Sequence, residues 1–177
     1  MHAHDRRRDR QRAQPNVPGS FHGAVLIILF YIPVPMRRFA SWDEVCALVA
    51  HFEAGDLPHA EWNHGAHLTA AFWYLSRLDR AEATARIRSG IIHYNDCQGT
   101  ANTETSGYHE TLTLFWIGVV VKFMEEADSK QSQLEVVNHL VETYGGRRLL
   151  WRDYYGFDLI RSVEARREWI EPDRGTL

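Results

Sequence analysis

Three histidines at two places in the chain carry the chemistry this sequence could perform. Glu61-Trp62-Asn63-His64-Gly65-Ala66-His67 sets two imidazoles three residues apart. On a helix that spacing makes them neighbours, with roughly 5–6 Å between Cβ atoms. Both rings can then converge on one divalent ion, about 2.0–2.1 Å from each nitrogen for zinc. Glu61, three residues before His64, reads as a third ligand or as a carboxylate that orients the ring. Gly107-Tyr108-His109-Glu110-Thr111 supplies the second group. His109 stands one turn before Leu112, on a face that continues through Trp116 and Val119, and is expected to point inward. Glu110 is rotated about 100° away from it.

Two reactions fit that set. Two histidines and one carboxylate with open positions favour non-haem iron and oxygen chemistry. Three histidines with a bound water favour zinc and hydrolysis. The predicted function is therefore a metal-dependent enzyme acting on a small molecule, with iron or zinc at His64, His67 and His109. Glu61 or Glu110, whichever is not a ligand, is the natural general base, and Tyr108 can donate to an oxyanion. The alternative is a non-catalytic metal- or small-molecule-binding helical protein that uses the same pocket. One core-facing histidine is ordinarily just a hydrogen-bonded core residue. Two on one face, with a third leading into an apolar helix, make coincidence less attractive. The pair lacks the intervening glutamate of the HExxH protease signature. Glu61-x-x-His64 has no second copy of the kind that ferritin-type di-iron bundles need.

The other polar residues have plainer readings. His51, His59 and His139 fall on polar helix faces or in a first turn. His93, with Cys97 four residues on, ends a helix near the polar loop and is an outside member of the site. Arg147-Arg148 and Arg166-Arg167 read first as solvated helix faces, and second as groups that greet an anionic substrate. A phosphate-cradling Gly-rich loop, a nucleophile elbow and a dinucleotide fingerprint are all missing from the sequence.

The elements that must position these residues are helices. Ser41-Trp42-Asp43-Glu44 is a capping box, followed by Val45, Leu48, Val49 and Phe52 at helical spacing and a stop at Gly55. Asp56, with Pro58 in the first turn, is expected to start a second helix whose apolar stripe runs through Leu68, Ala71, Leu75 and Leu78. A third helix is expected from about Arg80 to Tyr94, then a polar loop from Asn95 to Ser106. Ser106 is expected to cap the next helix, whose stretch Leu112–Val121 reads LTLFWIGVVV and should be covered all round. Ser132-Gln133-Leu134-Glu135 is another capping box, leading to Gly145-Gly146. Short helices around Leu149 to Tyr155 and Ser162 to Ile170 complete the chain. No strand-like alternation occurs, so the expected fold is all-α, a single-domain bundle of about five to six helices over residues 36–177.

At 177 residues, with 45% hydrophobic and 24% charged side chains, the chain suits one soluble domain. A net charge of −3 gives no pull toward nucleic acid or anionic membranes. Two cysteines cannot build a disulfide framework, so a cytoplasmic setting is the default. A small molecule is the expected partner, and self-association into a homo-oligomer is left open. Residues 1–35 are a different kind of chain: five arginines, a Pro/Gly-rich stretch, then the nonapeptide Ala24–Ile32. Nine apolar residues are too few for a spanning helix, which needs about 20. They would suit a signal core, but no small-x-small site follows. The extension is read as disordered or as mis-assigned sequence, with Met36 the true initiator.

The motifs WNHGAHL, GYHETLT and ARREWIEPD together resemble an uncharacterised family of small helical bacterial proteins. The resemblance spans roughly Ser41 to Asp173. It directs attention to Asn63, His64, His67, Tyr108, His109 and Glu110, and implies a helical fold without implying an activity. A chain beginning at Met36 should express, stay soluble and melt like the full chain. A melting temperature several degrees lower would make Ala24–Ile32 part of the core.

Overall fold

The computed structural model describes residues 38–176. The extension that ends at residue 35, with its apolar nonapeptide, lies outside the described residues. Within them the fold is all-helical, as the periodicity predicts, and no helix is long and apolar enough to cross a membrane.

Helix α1 (Trp42–Ala54) begins where the Ser41 hydroxyl accepts the Glu44 amide at 3.4 Å. Glu44 reaches back to the Ala40 amide at 3.0 Å, one residue earlier than a standard capping box. Gly55, at φ 74°, ends the helix in the left-handed conformation, its amide bonded to the His51 and Phe52 carbonyls. Val45, Leu48, Val49 and Phe52 are buried, as their spacing requires.

The second helix departs from expectation. Helix α2 is His64–Leu75, and Asp56 does not cap it. Leu57 is drawn into the core, and the Pro58 carbonyl accepts the Glu61 and Trp62 amides in a turn. The cap is Asn63, whose side chain accepts the Ala66 amide at 3.2 Å. Glu61 is therefore on a turn and not one helical turn before His64. Helix α3 (Arg80–Cys97) runs past Tyr94, because Asn95 is buried and bonds Asn102 from inside the helix.

Helix α4 (Glu110–Glu126) also begins later than Ser106. The Ser106 carbonyl accepts the Thr103 amide, and Gly107 sits at φ 73°, a conformation no helix can use. His109 takes the capping position instead. Helix α5 (Gln133–Tyr144) carries the complete capping box of Ser132 and Glu135. Two 3-10 turns (Leu150–Asp153 and Leu159–Arg161) and the short α6 (Val163–Arg167) form the tail.

Helix α2 packs against α1, α3, α4 and α5, and α4 packs against α2, α3, α5 and α6. Two apolar clusters result. The larger joins α1, α2, α3 and α5 to the inner side of α4. Buried Asn138 ties residue 39 to it, exchanging two hydrogen bonds of 2.8 and 2.9 Å with the Phe39 backbone. The smaller cluster sets Phe115 and Val119 of α4 against Trp151, Tyr155, Leu159 and Ala165 of the tail. Trp116 is half-buried and touches both.

Every residue from Leu112 to Val121 is buried or half-buried, so this stretch of α4 is covered all round, while Lys122, Glu125 and Glu126 beyond it are exposed. Phe115, at 0% exposure, is its best-packed aromatic. Phe115→Ala should lower stability by about 3–5 kcal/mol. Lys122→Ala, on the exposed side, should change it by less than about 0.5 kcal/mol. Equal urea midpoints for the two variants would show that α4 is not central.

Candidate functional site

The pocket lies on the seam between the two clusters. The first turn of α2 brings His64 and His67 to it, with Leu68 and Ala71 below them. Ile87 and Ile91 come from α3, Leu112 and Trp116 from α4, and Trp151 and Ile160 from the tail. Its volume is about 390 Å³, toward the small end of ligand pockets, which run roughly 300–1,000 Å³. A larger and more open hollow of about 760 Å³ runs along α4 past Lys122, Glu125 and Glu126. It holds none of the imidazoles and its polar groups are ordinary surface charges, so the seam pocket is the candidate site.

His64, His67, His109 and Tyr108 all line this pocket, but they are in different chemical states. The His64 ring stands edge-on to Trp116, centroids 4.3 Å apart. Its Nε2 is buried and has no hydrogen-bond partner among the described residues. Burial, then the positive charge of Arg148, lowers its pKa from 6.5 to about 4. His67 lies against Trp62 at 3.9 Å, and Trp62 in turn stacks on Phe52 at 4.4 Å. Burial, then the neighbouring His64, lowers the His67 pKa to about 3. Both rings are neutral at pH 7.

His109 is committed at both ring nitrogens. Nε2 lies 2.9 Å from the Leu159 carbonyl, which can only accept, so Nε2 carries the proton. Nδ1 is then the acceptor that caps α4, taking the Leu112 amide at 3.3 Å. Burial is the main cause lowering its pKa, and nearby Arg166 acts in the same direction. A metal ion could bind His109 only by displacing one of these bonds. The ring joins the start of α4 to the tail.

Glu110 is committed too. Arg88 of α3 grips both of its carboxylate oxygens, and the Tyr108 hydroxyl donates to Oε2 at 2.5 Å. Burial, followed by that bond to Glu110, raises the Tyr108 pKa. Tyr108 lines the pocket, whereas Glu110 does not. Glu61 is exposed and borders a narrow crevice with Phe39 and Val141, one that no histidine lines. Among the described residues no three His, Cys, Asp or Glu side chains are grouped as a metal site. His64 and His67 come together as neighbours on one pocket wall, without Glu61 or Glu110.

His51, His59, His93 and His139 are exposed, and none of them lines the pocket. Cys97 Sγ lies 3.6 Å from His93 Nε2 at the far end of α3, outside the pocket. The sequence reading missed Arg88, which is 22 residues from Glu110 and carries no local signal of the pairing. It also missed Trp62 as the platform under His67. No protein-family model, curated protein or solved structure matches the chain. The functional reading therefore rests on the pocket.

A histidine whose folded pKa is depressed binds fewer protons in the folded chain than in the unfolded one between the two pKa values. Stability then rises with pH across that window. Resistance to urea should fall as pH drops from about 6.5 toward 4, because the unfolded chain takes up protons there that the buried His64 and His67 do not. His64→Phe should flatten that slope, and the imidazole proton shifts of His64 and His67 should stay constant from pH 8 to 5.5. Titration of either ring near its ordinary pKa of about 6.5 would contradict the burial described here.

Proposed function

We propose that the protein binds a small molecule in the seam pocket, with His64 Nε2 as its polar anchor. The observation that carries this reading is the buried, unpartnered Nε2 of a ring that lines a mostly apolar cavity. Buried polar atoms normally have partners, and one without a protein partner calls for an external one. Leu149 and Ile160 support the reading. They are large apolar side chains left exposed, and both line the pocket. An apolar cavity with a few convergent polar groups is the usual form of a ligand site.

Binding is favoured over acid–base turnover because the groups suited to turnover are occupied. Arg88 and Tyr108 hold Glu110, and His109 spends both nitrogens on the fold. His64, with a pKa of about 4, is far from the value near 7 that suits a general base at neutral pH.

A second reading is favoured by the two neutral imidazoles side by side, each in the protonation state a metal requires. Iron or zinc held by His64 and His67 would keep open positions for water or the bound molecule. Such a centre could support oxidoreductase or hydrolase chemistry.

The neutral probe 4-fluorophenol tests the binding reading, because its hydroxyl suits either tautomer of His64. Its fluorine resonance should broaden on adding the protein. It should be unaffected by Ile91→Trp, which fills the cavity from a half-buried position. Equal broadening by both proteins would place the binding elsewhere. For the second reading, zinc alone should bind wild type and be lost in both His64→Ala and His67→Ala but not in His51→Ala. Failure of wild type to bind zinc or iron would end it.

A further inference from the structure

The polar character of the seam pocket is one-sided. The chain has 23 acidic and 20 basic side chains, yet no carboxylate lines the cavity. Arg148 does line it, and makes no ion pair with a carboxylate among the described residues. Its charge is felt inside, since it is the second cause of the lowered His64 pKa.

A second arginine stands behind the wall. Arg166 is only 8% exposed and donates to the Gly107, Tyr108 and Ile160 carbonyls at 3.0–3.2 Å. All three of those residues line the pocket. No carboxylate compensates Arg166 among the described residues, and its Nε is buried without a partner. Buried charges are ordinarily paired, because leaving water is unfavourable for them. The start of α4 adds a partial positive charge to the same wall, through Tyr108, His109 and Leu112. The carboxylate at the start of α4, Glu110, is already paired with Arg88.

We propose that the ligand of this pocket is an organic anion: an aromatic or alicyclic carboxylate. Its ring lies among Leu68, Ile87, Ile91 and Trp116, and its carboxylate faces Arg148 at the mouth. This inference rests on the small-molecule reading above and adds the charge of the ligand. His64 Nε2 meets a second polar atom on the ring, or the near oxygen of the carboxylate when the ring is small. Only an anion adds compensation for Arg148 and Arg166 together, while a neutral ligand of the same shape gains the apolar contacts alone.

The test uses the full chain and a matched pair of probes, 4-fluorobenzoate and 4-fluorobenzamide, followed by fluorine NMR at low salt. Benzoate should bind about tenfold more tightly than benzamide, equivalent to about 1.4 kcal/mol. Arg148→Ala should remove that preference and leave benzamide binding unchanged, and Arg148→Lys should keep part of it. High salt should weaken benzoate alone. Arg148 is exposed and outside both apolar clusters, so its replacement should not unfold the chain.

Equal affinity for the two probes would overturn the proposal while leaving the pocket reading intact. So would binding of 4-fluorophenol with no binding of benzoate. Sodium sulfate binding as tightly as benzoate, with the same loss in Arg148→Ala, would overturn the organic part and leave an inorganic anion site. Failure of all three fluorinated probes would overturn the pocket reading itself.

Discussion

The imidazole of His109 holds the two halves of the fold in register. One nitrogen accepts the Leu112 amide in the first turn of α4 and the other donates to the Leu159 carbonyl, fifty residues later. Helix starts leave unsatisfied amides, and a buried one must find a partner. Serine or asparagine could satisfy the amide, but neither could also span to the tail. Thr111 repeats the linkage two residues on, donating to the Glu168 carbonyl at 2.6 Å and accepting the Ile170 amide at 3.1 Å. The tail is thereby fixed against α4, and the space left between it and α2 is the pocket.

That arrangement explains why three inward histidines do not amount to one centre. His109 belongs to the scaffold, whereas His64 and His67 belong to the cavity. The scaffold also sets the electrostatics of the wall. Arg166 is buried because its guanidinium secures the Gly107 and Tyr108 carbonyls at the turn into α4. Glu110 does not pair with it, since Arg88 and Tyr108 already hold that carboxylate. Shape and charge of the pocket are consequences of how one helix start is fastened.

Much of the fold could be read from local signals. Ser41 and Ser132 sit before periodic apolar runs, and both cap the helices expected of them. The start of α2 was not legible, because Asp56 and Pro58 make a good local helix start that burial of Leu57 overrides. The cap of α4 was hidden for a similar reason. Ser106 is the better capping residue by type, but it is engaged in a turn with Thr103, and histidine is not a usual cap. The inward direction of His64 and His109 followed from helical stripes. Their different duties did not, because Leu159 lies fifty residues from His109 and Trp116 fifty-two from His64. Glu61 was misplaced for the same reason as α2: its position relative to His64 assumed a helix that begins later.

The bond between His109 and Leu159 also bears on the order in which the protein is made. Domains emerge from the ribosome N-terminal end first, at about 5–20 residues per second. The α1, α2 and α3 segments, with most of the larger apolar cluster, are available well before residues 159–168. Until those residues emerge, the Leu112 amide end of α4 has its cap but the ring has no anchor, and the Tyr108 turn has no guanidinium beneath it. The nascent chain can therefore bury His67 early, while the cavity around His64 acquires its last wall only when the tail segment emerges. The seam cavity is in this sense a late-formed feature, whose walls do not close around His64 before residues 159–168 have emerged.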